Sequence, residues 1–188
     1  MPPLHAVILA VSFQNRELHG PPRLERQRQA AREALARSCA ASGVASGPFE
    51  KDERDVPLPF HGIYWSLSHK PRYVAAVVSS RPVGIDIEEI LPRKEALYRY
   101  IAEETEWALV GSRDWGNFFR YWTAKEAVLK ATGAGLKDLK KTRIHAVPDT
   151  DHLLVDYEGH HWHVQHYRFT GHIVSLTHEG EVTWTIVE

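Results

Sequence analysis

Side chains able to work on a phosphate ester gather in two short segments of this 188-residue sequence. The first, Val83-Gly84-Ile85-Asp86-Ile87-Glu88, alternates as a strand does, so Ile85 and Ile87 turn to one face and Asp86 and Glu88 to the other. Two carboxylates at that spacing lie roughly 6–7 Å apart by the strand rise. They repel unless a cation lies between them. Taken alone, the pattern fits an edge strand with acids on its wet side equally well.

The second segment, Trp115 to Thr132, has helical periodicity. At 100° per residue, Phe118, Trp122 and Leu129 form one stripe, flanked by Tyr121, Lys125 and Val128. Phe119, Glu126 and Lys130 form the neighbouring strip, and Ala124, Ala127 and Ala131 fill the remaining face. No broad charged face exists, so most of the helix should be covered. Glu126 and Lys130 could be no more than an i,i+4 ion pair. That does not explain Lys125, whose ammonium falls in the apolar arc, where an unpaired charge is expensive. An anionic ligand with a metal accounts for all three charges. Three acids (Asp86, Glu88, Glu126) with lysines make an oxygen-donor set suited to Mg²⁺ and phosphate oxygens. The cluster has no cysteine or histidine zinc spacing.

These segments resemble the paired signature of the 4′-phosphopantetheinyl transferase superfamily, G-[IV]-D-x-E followed by W-[STA]-x-K-E-[AS]-x-x-K. Here they read Gly84-Ile85-Asp86-Ile87-Glu88 and Trp122-Thr123-Ala124-Lys125-Glu126-Ala127-Val128-Leu129-Lys130, with 40 residues from Asp86 to Glu126. Trp65-Ser66-Leu67-Ser68-His69 is similar to the family's upstream SLSH block.

The resemblance implies transfer of the phosphopantetheine arm of coenzyme A to a serine of an apo-acyl or peptidyl carrier protein, releasing adenosine 3′,5′-bisphosphate. It implies Mg²⁺ held by Asp86, Glu88 and Glu126, with Glu126 taking the serine proton. Lys130 is implied beside the leaving phosphate, and Lys125 either contacts phosphate or fixes Glu126. Arg28, Arg32, Ser68 and His69 are implied to bind coenzyme A. The family's Gly-basic-Pro turn is replaced by Asp55-Val56-Pro57 with Arg54 shifted, a departure from the family's pattern in the loop that contacts phosphate. Two other readings stay open: a Mg²⁺-dependent phosphohydrolase using the same acids, and a non-catalytic relative that binds coenzyme A or carrier.

The elements that must position these groups are legible in outline. An early strand (Val7 to Val11) precedes a basic helix with five arginines against two glutamates between Arg23 and Arg37, stopped by Ser42-Gly43. Strand-like runs follow at Ile63–Leu67, Tyr73–Ser79 and Val83–Ile87. Arg93 to Leu109 reads as one polar helix, and Asp114 and Gly133 should cap the chemistry-bearing one. The tail alternates strands and glycine turns: Ile144–Val147, Leu153–Asp156, His161–Phe169, Ile173–Thr177 and Val182–Val187.

A weak repeat is present. Ala31–Arg37 resembles Ala124–Lys130 at an offset of 93, and Val74–Val77 with Val83 resembles Ile173–Leu176 with Val182 at an offset of 99. The expected fold is α+β, two similar pseudo-twofold lobes, each an antiparallel sheet on a long helix, covering 1–83 and 84–188 with the active site at their interface. The repeat favours the single-chain, two-lobed branch typified by the surfactin-synthetase transferase over the short trimeric type, so a monomer is expected.

Composition sets the outer bounds. With 43% hydrophobic and 25% charged residues, the chain can build a core. A formal net charge of −1 gives no general pull toward nucleic acid. One cysteine, Cys39, cannot close an internal disulfide, and Ala6 to Val11 is too short to span a membrane. A cytoplasmic protein without signal peptide or membrane segment is therefore expected. Lys137, Lys140, Lys141 and Arg143 against Asp138 form a basic patch just past the second segment, suited to steering an acidic carrier. His161 and His163 share a strand face, but no acid or cysteine nearby in sequence completes a zinc site.

Overall fold

The computed structural model describes residues 3–11 and 21–188. It divides into two compact units, Met1–Pro82 with Gly180–Glu188, and Val83–Glu179. No helix among the described residues is long and apolar enough to cross a membrane.

In the first unit, β1 (Leu4–Ala10), β2 (Tyr64–His69), β3 (Tyr73–Ser79) and β9 (Val182–Val187) form a sheet of order β2-β3-β1-β9. Helix α1 (Pro21–Ser42) lies on it. Its Ala30, Ala31, Ala34, Leu35 and Cys39, spaced along one stripe, pack with Val7, Leu9, Val74, Ala76 and Val78. Ser38, buried in that stripe, donates to the His5 carbonyl at 2.7 Å and accepts the Val78 N–H at 3.1 Å, so its hydroxyl is satisfied. Gly43, with φ +67°, takes the left-handed turn that ends the helix.

In the second unit, β4 (Ile85–Glu89), α2 (Ala96–Ile101), α3 (Glu104–Ala108), α4 (Trp115–Thr132) and a 3-10 turn (Leu136–Lys141) precede β5 (Arg143–Ala146), β6 (His152–Tyr157), β7 (His160–Phe169) and β8 (His172–Thr177). The sheet has order β4-β8-β7-β6-β5 and is antiparallel throughout. Phe118, Phe119, Tyr121, Val128 and Leu129 of α4 share a core with Leu153, Val155, Val164 and Ile173.

The α+β expectation holds, with a long helix on a sheet in each unit. The repeat has a topological counterpart: β2-β3-β1 with α1 in one unit has the order and directions of β7-β8-β4 with α4 in the other. Differences are local. The tail strand, expected in the second lobe, is β9, which runs parallel to β1 in the first sheet. The single helix expected over Arg93 to Leu109 is two. Ala102 is extended (φ −151°, ψ 152°), and Glu103 opens α3 with a reciprocal capping box to Glu106.

Candidate active site

Helix α4 is fixed at both ends by the residues expected to cap it. Asp114 Oδ1 accepts the Asn117 N–H at 2.8 Å, and Gly133 turns left-handed at φ +69°. Between them α4 crosses β4 with no room to spare. A Cβ placed on Gly84 would lie 1.8 Å from the Ala127 carbonyl oxygen. The glycine of the G-I-D-I-E segment is therefore a condition of helix–strand contact. Its N–H is held at 2.8 Å by Thr177 Oγ1 on β8.

That close approach decides which way the acids point. Asp86 pairs across the ladder with Ser175, whose hydroxyl bonds Thr123 of α4, so position 86 faces the helix rather than water. Asp86 is 5% exposed, and Glu88, next on the same face, is half-buried. Lys130 reaches across from the helix: its Nζ donates to Asp86 Oδ1 at 2.7 Å and to the Ile85 carbonyl at 3.1 Å. Glu126, one turn earlier on α4, is half-buried. The oxygen chemistry of Asp86, Glu88 and Glu126 suits a hard cation. Among the described residues, however, no three His, Cys, Asp or Glu side chains stand grouped to hold a metal ion. Lys130 brings a positive charge to Asp86.

Lys125 is placed differently from the expectation that it contacts phosphate or fixes Glu126. It is 1% exposed, and its Nζ donates to Glu106 Oε1 and to the Ile101 carbonyl, both at 2.7 Å. Burial pulls its pKa below the usual lysine value, and the Glu106 carboxylate acts in the opposite direction. Glu106 also accepts the Ile144 and Glu103 N–H groups at 2.8 and 2.9 Å. The Lys125–Glu106 pair thus ties α4 to α2, α3 and β5. The sequence reading missed Glu106. Its signals were present: a buried lysine demands an acid, and Glu103-x-x-Glu106 before Trp107 is a capping box.

The remaining coenzyme A candidates lie in the first unit. Arg28 and Arg32 are exposed on the outer face of α1, Arg28 with Glu25 3.8 Å away. Ser68, buried, and His69, exposed, end β2 opposite Ala75 and Val74. Arg54 is exposed and bonds Asp52. In the basic patch, Lys141 pairs with Asp138 at 2.8 Å and Arg143 with Glu103 at 3.1 Å, while Lys137 and Lys140 are exposed. The Asp138 carboxyl is held below its usual range by hydrogen bonds from Lys141 and Tyr157, and Tyr157 is pushed up to about 12. His161 approaches Asp156 and His163 approaches Glu179, at 3.6 and 3.3 Å.

The segment that builds this helix–strand site is also the one that matches known proteins. Residues 82–177, just over half the chain, match the 4′-phosphopantetheinyl transferase superfamily model. The chain is 33% identical over 92 residues to 4′-phosphopantetheinyl transferase gsp of Aneurinibacillus migulanus, covering 47% of this chain and 39% of that protein. It is 31% identical over 128 residues to 4′-phosphopantetheinyl transferase HetI of a Nostoc species, covering 56% and 51%. To 4′-phosphopantetheinyl transferase Sfp of Bacillus subtilis it is 29% identical over 89 residues, covering 44% and 40%. The matches thus span about half or less of each relative. The matched stretch includes the glycine that admits α4 to the strand, the acids beside it and the lysine that reaches them, and on that stretch the chain belongs to the 4′-phosphopantetheinyl transferase superfamily.

Proposed function

We propose that the protein moves the 4′-phosphopantetheine group of coenzyme A onto a serine of an acidic apo-carrier protein and releases adenosine 3′,5′-bisphosphate. The observation that carries this reading is the Lys130–Asp86 contact beneath a helix that also bears Glu126, inside the segment matched by the family. The serine oxygen attacks the phosphorus bearing the pantetheine. The bridging P–O bond breaks, and its electron pair leaves with the bisphosphate. Glu126 accepts the serine proton, directly or through water. Lys130, held near Asp86 yet 29% exposed along its side chain, turns its ammonium to the charge gathering on the leaving phosphate. Asp86, Glu88 and Glu126 supply the oxygen donors assigned to Mg²⁺, which would neutralise the pyrophosphate once they are drawn around it. Arg28, Arg32, Ser68 and His69 are assigned to the coenzyme A phosphates. Lys125 is assigned to holding the helix.

The carrier is steered by Lys137 and Lys140, whose exposure supports a rim effect on association rate. A reducing, cytoplasmic setting is assigned on the sequence's single cysteine, Cys39, which cannot close an internal disulfide. The test is to mix the protein with coenzyme A, Mg²⁺ and a panel of apo-carriers and follow the phosphopantetheine mass increment. Wild type should add it and Glu126→Ala should not. Phosphoester turnover without carrier would favour a phosphohydrolase, and coenzyme A binding without transfer a non-catalytic relative. Reversing charge at Lys137 and Lys140 should weaken the salt dependence of carrier modification. An unchanged dependence removes the patch from the proposal.

A further inference from the structure

Beneath α4 the second sheet carries a polar row where its neighbours are apolar. His166 on β7 pairs with Ser175 on β8, and Ser175 pairs with Asp86 on β4, so three side chains on adjacent strands face the helix side by side. His166 and Ser175 are 4% and 0% exposed. His166 Nδ1 lies 2.7 Å from Ser175 Oγ, Ser175 Oγ bonds Thr123 Oγ1, and Thr123 Oγ1 donates to the Phe119 carbonyl at 2.8 Å. One direction satisfies every hydroxyl: His166 Nδ1–H gives to Ser175, Ser175 gives to Thr123, and Thr123 gives to the helix backbone. With its proton committed to Nδ1, the imidazole leaves Nε2 buried and without a partner. That is a cost an apolar residue would avoid. The chain ends on α4 three residues before Glu126, and its middle member adjoins Asp86.

We infer that His166, Ser175 and Thr123 are positioning residues, a hydrogen-bonded latch that fixes the register of α4 on β4 and so sets Lys130 and Glu126 relative to Asp86. Apolar packing between a helix and a sheet tolerates sliding, because methyl contacts exchange for one another at small cost. A buried hydroxyl chain does not, since displacement strands its donors. The latch touches no substrate and acts through Asp86 and α4. This inference rests on the transferase reading for its kinetic consequence but not for its structural one.

The experiment compares Ser175→Ala, Ser175→Thr, Thr123→Val and a core control on β6, Val155→Ala, by thermal midpoint, kcat, KM for coenzyme A and amide hydrogen exchange. Ser175→Ala should lower kcat about ten-fold or more, with KM changed less than about two-fold, because misplacement by a fraction of an ångström degrades alignment. Ser175→Thr, which keeps the hydroxyl, should recover most of kcat. Val155→Ala should lower the midpoint without the kcat loss. Exchange at residues 85–87 should quicken about ten-fold in Ser175→Ala and stay near wild type in the control. Wild-type kcat in Ser175→Ala, or an equal loss in Val155→Ala, overturns the inference. If wild type transfers nothing, the transferase reading fails and exchange alone decides. Unchanged exchange at residues 85–87 then overturns the latch. Should Ser175→Ala not fold, Thr123→Val is judged by the same outcomes.

Discussion

Helix α4 bears two lysines five residues apart, and each meets a carboxylate at 2.7 Å. Lys125 and Glu106 show 2% and 6% side-chain exposure, and the carboxylate is closed off further by two backbone N–H groups. Lys130 and Asp86 show 29% and 7%. The first ammonium has no way out and, with Glu106, joins four elements. The second is accessible along its stem, and the proposed function assigns it to a ligand phosphate. The same residue type, on one helix and in one signature motif, is thus assigned to architecture at one position and to chemistry at the other. What divides them is the exposure of the lysine, since the two carboxylates are buried alike.

Four substitutions or conditions bear on that contrast. Lys125→Met strands the Glu106 charge in the core and should cost about 3–5 kcal/mol of unfolding free energy, read as a lower denaturant midpoint with an unchanged slope. A loss below about 1 kcal/mol, as for an exposed pair, would erase the distinction. Gly84→Ala drives a methyl into the Ala127 carbonyl and should cost about 1–3 kcal/mol or more by overpacking. Because it moves α4 off β4, it should also reduce the activity of the folded fraction.

Lys130→Met should cost about 1–3 kcal/mol, under the Lys125 value, because the half-buried Lys130 stem leaves water a path that the buried Lys125 does not, although Asp86 itself is 5% exposed. Transfer activity in that variant should fall far more than stability does, which a stability-matched assay of kcat reads directly.

The most gradual effect comes with pH. Burial holds the His166 pKa well below its ordinary 6.5. The unfolded chain therefore binds the extra proton first, so His166 contributes stability fully above pH about 6.5 and loses it as pH falls further. The slope for one proton is at most about 1.4 kcal/mol per pH unit, and His166→Met should flatten it. A thermal midpoint constant from pH 7 to 5 in wild type would place a charged histidine in the core.

The sequence was sufficient wherever the controlling physics is local. Alternation put Asp86 and Glu88 on one strand face, and Asp114 and Gly133 set the ends of α4, because caps and periodicities depend on neighbours within a turn. The break between α2 and α3 was also local in cause, yet a capping box of two glutamates inside a charged run is hard to separate from helix-compatible polarity. Pairings over long separations were not legible. Lys125 with Glu106, Ser175 beside Asp86, and β9 beside β1 each depend on which surfaces fold against one another. The sequence nominated three acids for one cation. The fold turned Asp86 toward α4 and gave it an ammonium, while no three acids among the described residues stand as a cage. Residue types and spacing determined what chemistry this chain carries. Only burial and register, set by the whole helix–sheet packing, decided which of its charges stay open to a ligand.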